Sequence, residues 1–161
     1  MAAPRLHGNI IADRIVQLIR DNLAGPMGLK TVAVGALEFF PTLENLADQV
    51  PAVLVKPAPT TTLERITTGQ TYRIVYGFRI VLVRSFGADE RIVRDKTDAA
   101  ERIVELLIDN VDLGGLILEN AQVNSTSAKV IEHEPYEEQP LIRANLTTTS
   151  VVLVVETTSR K

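Results

Sequence analysis

Cysteine is absent from this chain of 161 residues. Its absence excludes disulfide bridges, thiolate metal sites and cysteine nucleophiles, while a reducing cytoplasm fits the composition. A hydrophobic core must therefore hold the fold, and a chain of this length buries about two-thirds of its unfolded surface, which is enough. We expect one domain, residues 1–161, that needs no metal or cofactor.

Aromatic residues and clustered positive charge are also scarce. Tryptophan is absent and aromatic residues make up 4% of the chain, so stacking platforms for nucleic-acid bases are few. The formal net charge is −3, whereas a protein that grips a phosphate backbone needs clustered basic side chains. No apolar run reaches the roughly 18 residues of a membrane span. Residues Met1–Asn9 lack a basic-then-apolar leader pattern. The sequence disfavours nucleic-acid-binding and membrane proteins.

Motifs that carry chemistry are missing as well. The histidines are His7 and His133, and we interpret the acidic stretch around His133 as a solvated loop. Metalloprotease, serine-hydrolase and phosphate-loop patterns do not occur. The pair Glu101 and Glu105 lies on the polar side of a predicted helix, where solubility explains it. We expect no catalytic, cofactor-binding or metal-binding residue, and no enzyme activity.

The strongest pattern that is present is an amphipathic helix over Asp89–Leu113. Asp89 or Asp95 is its candidate N-cap, and Gly114-Gly115 is predicted to end it. Its apolar arc is roughly 200° wide, but a helix on one sheet needs only a little over 100°. We therefore predict that the helix is covered twice, by its sheet and by either a second helix or a neighbouring subunit. The apolar side carries Ile92, Val93, Ala99, Ala100, Ile103, Val104, Leu106, Leu107, Ile108 and Val111.

A second helix and several strands complete the pattern. Asn9–Leu23 is predicted to be a helix, with Asn9 as its N-cap and Gly25-Pro26 as its end. Tyr72–Arg84 alternates as a strand with an apolar face led by Tyr72. The remaining predicted strands are Lys30–Val34, Pro51–Val55, Leu116–Val123, Lys129–Glu132 and Leu141–Glu156, with a turn at Asn124–Ser127. This order predicts an α+β fold of two layers, in which two main helices pack on one face of a mostly antiparallel sheet of about four to five strands.

The second face of Tyr72–Arg84 carries Arg73 and Arg79. We interpret them as cross-strand partners of acidic residues, because opposite charges on neighbouring strands attract. A grip on a phosphate or on a partner's carboxylate stays open, since the guanidinium group suits both.

Pro57–Gln70 is predicted to be a polar loop between two strands. It covers about 14 residues, and loops beyond about 12–15 residues without structure are usually functional or disordered. Its prolines stiffen the base, while its threonines favour extended backbone that can add to the edge of a neighbouring sheet. We predict an assembly interface formed by Pro59, Thr60, Thr61, Thr62, Leu63, Arg65 and Ile66, together with Phe39 and Phe40.

The layout from Asn9 to Glu156 resembles the tail terminator proteins of long-tailed bacteriophages, also called tail completion or minor tail proteins. The features that carry the resemblance are the first amphipathic helix, the proline-started strand Pro51–Val55, the alternating strand Tyr72–Arg84 and the helix that closes on Leu113-Gly114-Gly115. The resemblance implies a single tail-terminator-like domain and a non-enzymatic virion protein. It also implies a homohexameric ring at the tail–neck junction, made in the cytoplasm of the host bacterium.

The same resemblance implies the partners. These are further copies of the chain, the major tail tube protein, a neck or stopper protein, and DNA that passes through the lumen without specific binding; no membrane is implied. The long threonine-rich segment and the polar run Thr147–Ser150 depart from the family pattern. A head–tail connector, meaning a neck adaptor or stopper, is the alternative, and a small-molecule enzyme is a third hypothesis.

Overall fold

The computed structural model describes residues 6–35, 50–66, 71–85, 90–131 and 146–160. In chain order the elements are α1 (Gly8–Met27), β1 (Thr31–Val34), β2 (Ala52–Arg65), β3 (Thr71–Ser85), α2 (Glu90–Asp109), β4 (Ala121–Ile131) and β5 (Leu146–Arg160). The strands form one five-stranded sheet in the order β1-β2-β3-β5-β4. β1 and β2 are parallel, and the other neighbours are antiparallel. The predicted α+β fold class is confirmed.

β3 lies at the centre of the sheet and pairs with β2 and β5. Alternate side chains from Ile74 to Leu82 are buried, as the apolar alternation predicted. In-register residues of the neighbouring strands, among them Val53 on β2 and Leu153 on β5, extend this face. Both helices pack on it and share one hydrophobic core with it.

The first helix is longer than predicted. It begins at Gly8 with His7 as the N-cap, not at Asn9, and it continues through Gly25-Pro26 to Met27. The end is set by Gly28, whose φ of 61° lies in the left-handed region. The N–H of Gly28 donates to Gly25 and that of Leu29 donates to Ala24, at 3.2 and 2.9 Å, which is the usual glycine cap. The sequence predicted that the helix ends at Gly25, whereas the glycine cap forms at Gly28.

The second helix is covered twice, and both covers lie within one chain. α2 packs on β4 and β5 and also against α1. Its most deeply buried described side chains include Ile103 and Leu107, while Ile108 is about half exposed, as is Val111 beyond the end of the helix at Asp109. Because α2 begins at Glu90, Asp95 lies inside the helix and is not its N-cap. The other candidate, Asp89, is outside the described residues.

The loop predicted for Pro57–Gln70 is wrong. β2 continues to Arg65, and its residues from Thr61 onward pair with β3. The long strand β3 needs hydrogen-bond partners along its whole length, and this requirement outweighs the polar composition. The register shifts between Pro57 and Thr61, and Pro59 lies within that irregularity. Bulges tolerate proline because the ladder of hydrogen bonds is already interrupted there.

The turn predicted at Asn124–Ser127 is also wrong. β4 is one continuous strand with a register shift between Val123 and Ser125. The bulge absorbs Asn124, whose side-chain amide donates to the hydroxyl of Thr158 on β5. The polar run Thr147–Ser150 likewise lies inside a strand, because β5 pairs with β3 there. The acidic loop predicted around His133 lies outside the described residues.

Ile103 provides a test of the helix packing. Its side chain is fully buried, so Ile103→Ala should lower the free energy of unfolding by about 2–5 kcal/mol through lost packing and a cavity. Glu105→Ala, two residues along the same helix at an exposed position, is the matched control and should change it by less than about 0.5 kcal/mol. Urea denaturation followed by circular dichroism measures both. Equal effects would contradict the packing of α2 on the sheet.

Candidate functional site

The residues predicted to form an assembly interface lie mainly in one strand. Pro59–Leu63 and Arg65 belong to the second half of β2, and Ile66 directly follows it. Phe39 and Phe40 lie outside the described residues. The structure therefore brings most of the predicted interface together, but as a strand of the sheet and not as a loop. Their contact with a partner stays a prediction.

The second half of β2 has one edge that no other described strand occupies. β1 pairs only with Ala52–Val55, whereas β3 pairs with β2 as far as Arg65. Beyond Val55, none of the described strands lies on the side of β2 that faces away from β3. We call the backbone of Thr61–Arg65 on this side the β2 edge. Strand edges with unpaired backbone groups are templates for another chain.

The ladder of hydrogen bonds shows which groups the β2 edge offers. The N–H of Ile66 donates to the carbonyl of Thr71 at 3.1 Å, so this pair is a hydrogen-bonded one. Hydrogen-bonded and non-bonded pairs alternate in antiparallel strands. Glu64 and Thr62 therefore bond to β3, and Thr61, Leu63 and Arg65 direct their N–H and C=O groups outward. This edge thus offers a regular row of donors and acceptors.

In the first half of β2, alternate residues likewise direct their backbone N–H and C=O groups away from β3. The N–H of Gly35 donates to the carbonyl of Val55 at 3.0 Å, so Val55 directs its backbone toward β1. Two residues further, Pro57 occupies a position whose N–H would also point away from β3. A proline there costs the sheet no hydrogen bond. This explains why a proline that reads as a loop signal is compatible with the strand.

An ionic network of three side chains links the second half of β2 to β3 and β5. Arg73 on β3 lies between Glu64 on β2 and Glu156 on β5, with N–O distances of 3.4 and 3.0 Å. The three side chains lie on the sheet face away from the helices and are 44%, 61% and 31% exposed, respectively. The hydrogen bond from Arg73, followed by its charge, lowers the pKa of Glu156. The interpretation of Arg73 as a cross-strand partner of acids is confirmed.

On the opposite face, Arg65 is held by its own chain. Its guanidinium group lies 5.9 Å from the centre of the Tyr72 ring, within cation–π range. Ile66 is 51% exposed at the end of the strand. Arg79, another arginine of β3, donates to the hydroxyl of Ser150 at 3.2 Å and pairs with no acidic side chain among the described residues. Sequence reasoning missed Tyr72, Glu64 and Glu156, because only the register places them beside the predicted residues.

Other features of the described chain are a pocket beside α2 and a buried histidine. No group of histidine, aspartate or glutamate side chains among the described residues is arranged to hold a metal ion. A pocket of about 220 Å³ lies where the end of α1 meets α2, and its charged lining consists of Arg84, Asp98 and Arg102. His7 is buried, and its backbone N–H donates to the hydroxyl of Tyr76 at 3.1 Å.

Neither described helix has the length and hydropathy needed to cross a membrane.

The comparisons with known proteins give a likeness of fold. No protein-family model matches the chain, and no curated protein sequence matches it either. Among solved structures, the chain is similar to a chain of the "Virion of native gene transfer agent (GTA) particle". The TM-score is 0.57 at 15% sequence identity, and the match covers 92% of this chain and 95% of that chain. The two chains therefore share a fold over nearly their whole lengths.

The ionic network predicts a measurable titration. In the intact protein the side-chain carboxyl of Glu156 should titrate below its ordinary range, because Arg73 stabilises the charged form. Arg73→Gln should move the pKa of Glu156 upward. Arg79→Gln should leave it unchanged, because Arg79 is bonded to Ser150 and not to a carboxylate. Carbon-detected NMR titration of the glutamate side chains measures the pKa of Glu156 in the intact protein and in the two arginine variants.

The same titration fixes the sign of the pH dependence. Since the folded-state pKa of Glu156 is lowered, the ion pair contributes fully above the unfolded-state pKa and is lost as the pH falls through the folded-state value. An unshifted Glu156 in the intact protein, or equal behaviour of the two arginine variants, would contradict the network.

Proposed function

We propose that this chain is a structural subunit of a phage-like virion. In this proposal it forms a homohexameric ring that caps the tail tube, ends tube polymerisation and joins the tail to the neck of the head. The observation that carries the proposal is the fold shared with a chain of a gene transfer agent virion, which extends over 92% of one chain and 95% of the other. The likeness therefore concerns the fold as a whole and not a local fragment of it.

The geometry of the sheet supports a role in assembly. The β2 edge presents a row of outward donors and acceptors that are suited to strand addition. The charged residues beside it bond to one another across strands, so they support the sheet and are not gathered around a cleft. A subunit whose function is to bind its neighbours needs such surfaces and no pocket. The proposed role is therefore non-enzymatic.

The proposed partners follow from the position of such a ring. One face would bind the major tail tube protein and the other a neck or stopper protein, at the tail–neck junction of the virion. The subunit would be made in the cytoplasm of the host bacterium, without contact to a membrane. DNA would pass through the lumen without specific binding, and the net charge of −3 is compatible with a duplex that slides without being held.

A head–tail connector is the second candidate. The similar structure is that of a whole virion particle, so a neck adaptor or stopper is compatible with the same observation. The two functions differ in what the chain binds. A tail terminator binds the end of the tube, whereas a connector binds the portal side of the head.

The test is to purify the chain and mix it with tail tubes and, separately, with portal-bearing heads. We expect rings of six copies by light scattering and negative-stain electron microscopy, either free or at tube ends. In particles lacking the chain, tails should exceed their normal length and remain unjoined to heads. Binding to portals and not to tubes would favour the connector. A chain that binds neither would overturn both functions.

The acidic balance gives a separate prediction. At physiological ionic strength the assembled ring should not shift duplex DNA in a gel mobility assay, because it lacks an excess of basic charge. Tight binding that weakens steeply as salt is added would reveal phosphate contacts. That result would contradict free passage of DNA through the lumen.

A further inference from the structure

A second edge, on the opposite side of the sheet, also has no partner among the described strands. β4 is the last strand of the sheet, and among the described strands it pairs only with β5. Its first residue, Ala121, donates its N–H to the carbonyl of Leu118 at 3.5 Å, so its backbone points away from β5. The next residue, Gln122, therefore belongs to a hydrogen-bonded pair with Thr158.

The alternation fixes the remainder of this edge. Every second residue of β5 bonds to β4, so Ser125 and Ser127, which lie opposite Glu156 and Val154, bond to β5. The residues between and beyond them direct their N–H and C=O groups away from the sheet. We call this row the β4 edge, and it consists of Thr126, Ala128 and Val130. On the β4 edge, as on the β2 edge, every second residue directs its backbone groups outward.

We propose that the β4 edge of one copy pairs with the β2 edge of the next copy, so that neighbouring sheets join head to tail around the ring. This inference rests on the ring that is part of the proposed function. The partner is a second copy because one chain carries both halves of the contact, on opposite sides of one sheet. A rotation that repeats this contact uses the β2 edge and the β4 edge of every subunit, and it forms a ring when the last copy meets the first.

The strand directions fit this contact. β2 is antiparallel to β3, β3 to β5, and β5 to β4, so β2 and β4 run in opposite directions within one subunit. A neighbouring copy placed beside β4 by continuing the sheet therefore presents its β2 in the antiparallel sense. Antiparallel strands pair outward residues with outward residues, which is what the two edges supply.

The two faces of the sheet also match across the proposed contact. Thr62 on β2 and Ser127 on β4 both point to the face away from the helices, and both are exposed. In a continued sheet they lie on one common face, and the helices of neighbouring copies lie together on the other. β1 does not obstruct the contact, because it pairs with no residue of β2 beyond Val55.

Disulfide cross-linking tests the contact directly, because the natural chain has no cysteine to interfere. Thr62→Cys and Ser127→Cys replace residues of the non-bonded pairs, where Cα atoms are about 4.5 Å apart and a disulfide fits. An oxidised mixture of the two single variants should give a covalent dimer on a non-reducing gel, and each variant alone should stay monomeric. The Thr62→Cys, Ser127→Cys double variant should give a ladder that ends at the ring number.

Register and specificity have their own controls. Ser125→Cys and Lys129→Cys, each mixed with Thr62→Cys, cover the registers two residues to either side. Gln17→Cys, at an exposed position on the outer side of α1, should not cross-link to Thr62→Cys in the same mixture. A dimer from either single variant alone would mean two-fold pairing of like edges and would overturn the inference.

A proline variant provides a second measurement. Thr61→Pro removes one outward N–H of the β2 edge, whereas Thr61→Ala keeps it. Thr61→Pro should keep its circular dichroism spectrum and raise the concentration for half-assembly about tenfold, and Thr61→Ala should assemble normally. Equal assembly by the two variants would contradict the contact.

The outcomes separate this inference from the proposed function. If rings form by light scattering but no register cross-links, the edge pairing is wrong and the ring stands. If the cross-linked ring forms but neither caps tubes nor enters virions, the pairing stands and the tail function fails. A protein that stays monomeric and forms no cross-link in any mixture overturns the pairing together with the ring.

Discussion

The structure depends on one strand, β3, whose alternate side chains enter the core while its two edges are both hydrogen-bonded. Its 15 residues set the length of the sheet, and β2 and β5 extend beside it because buried or half-buried backbone groups need partners. β1 has only 4 residues and follows β2 over its first part alone. Among the described strands, the mismatch between these lengths leaves the β2 edge unpaired. The candidate interface is therefore a consequence of the way in which β3 obtains its hydrogen-bond partners.

The second half of β2 is held by weaker interactions than the core. The cation–π contact of Arg65 and the ionic network around Arg73 lie at exposed positions, where solvent and salt weaken charge interactions. Segments with few buried contacts open more readily than the core. A strand end that keeps its extended backbone and register through such exposed interactions would suit the proposed contact with another copy of the chain.

The likeness to the virion chain at 15% identity shows how little the fold depends on particular residues. The core requires apolar side chains at a spacing of two on strands and of three to four on helices, and many sequences meet that requirement. Contacts with other proteins depend on particular surface residues instead. A shared fold therefore supports a class of function by analogy, whereas the edges, charges and exposed side chains of this chain determine which partners it can bind.

Local pattern determined the elements whose signal lies within a single segment. The alternating faces of β3, the apolar side of α2 and the fold class were predictable because burial imposes a periodicity that the sequence shows directly. The continuation of β2 past Pro57, the bulge at Asn124 and the acidic partners of Arg73 were decided only by the tertiary structure. Each of these features depends on a strand that is distant in sequence. A polar or proline-containing segment becomes a strand when a long neighbouring strand supplies its hydrogen bonds. The acidic partners of Arg73 lie beside it only because the register of β2 and β5 places them there.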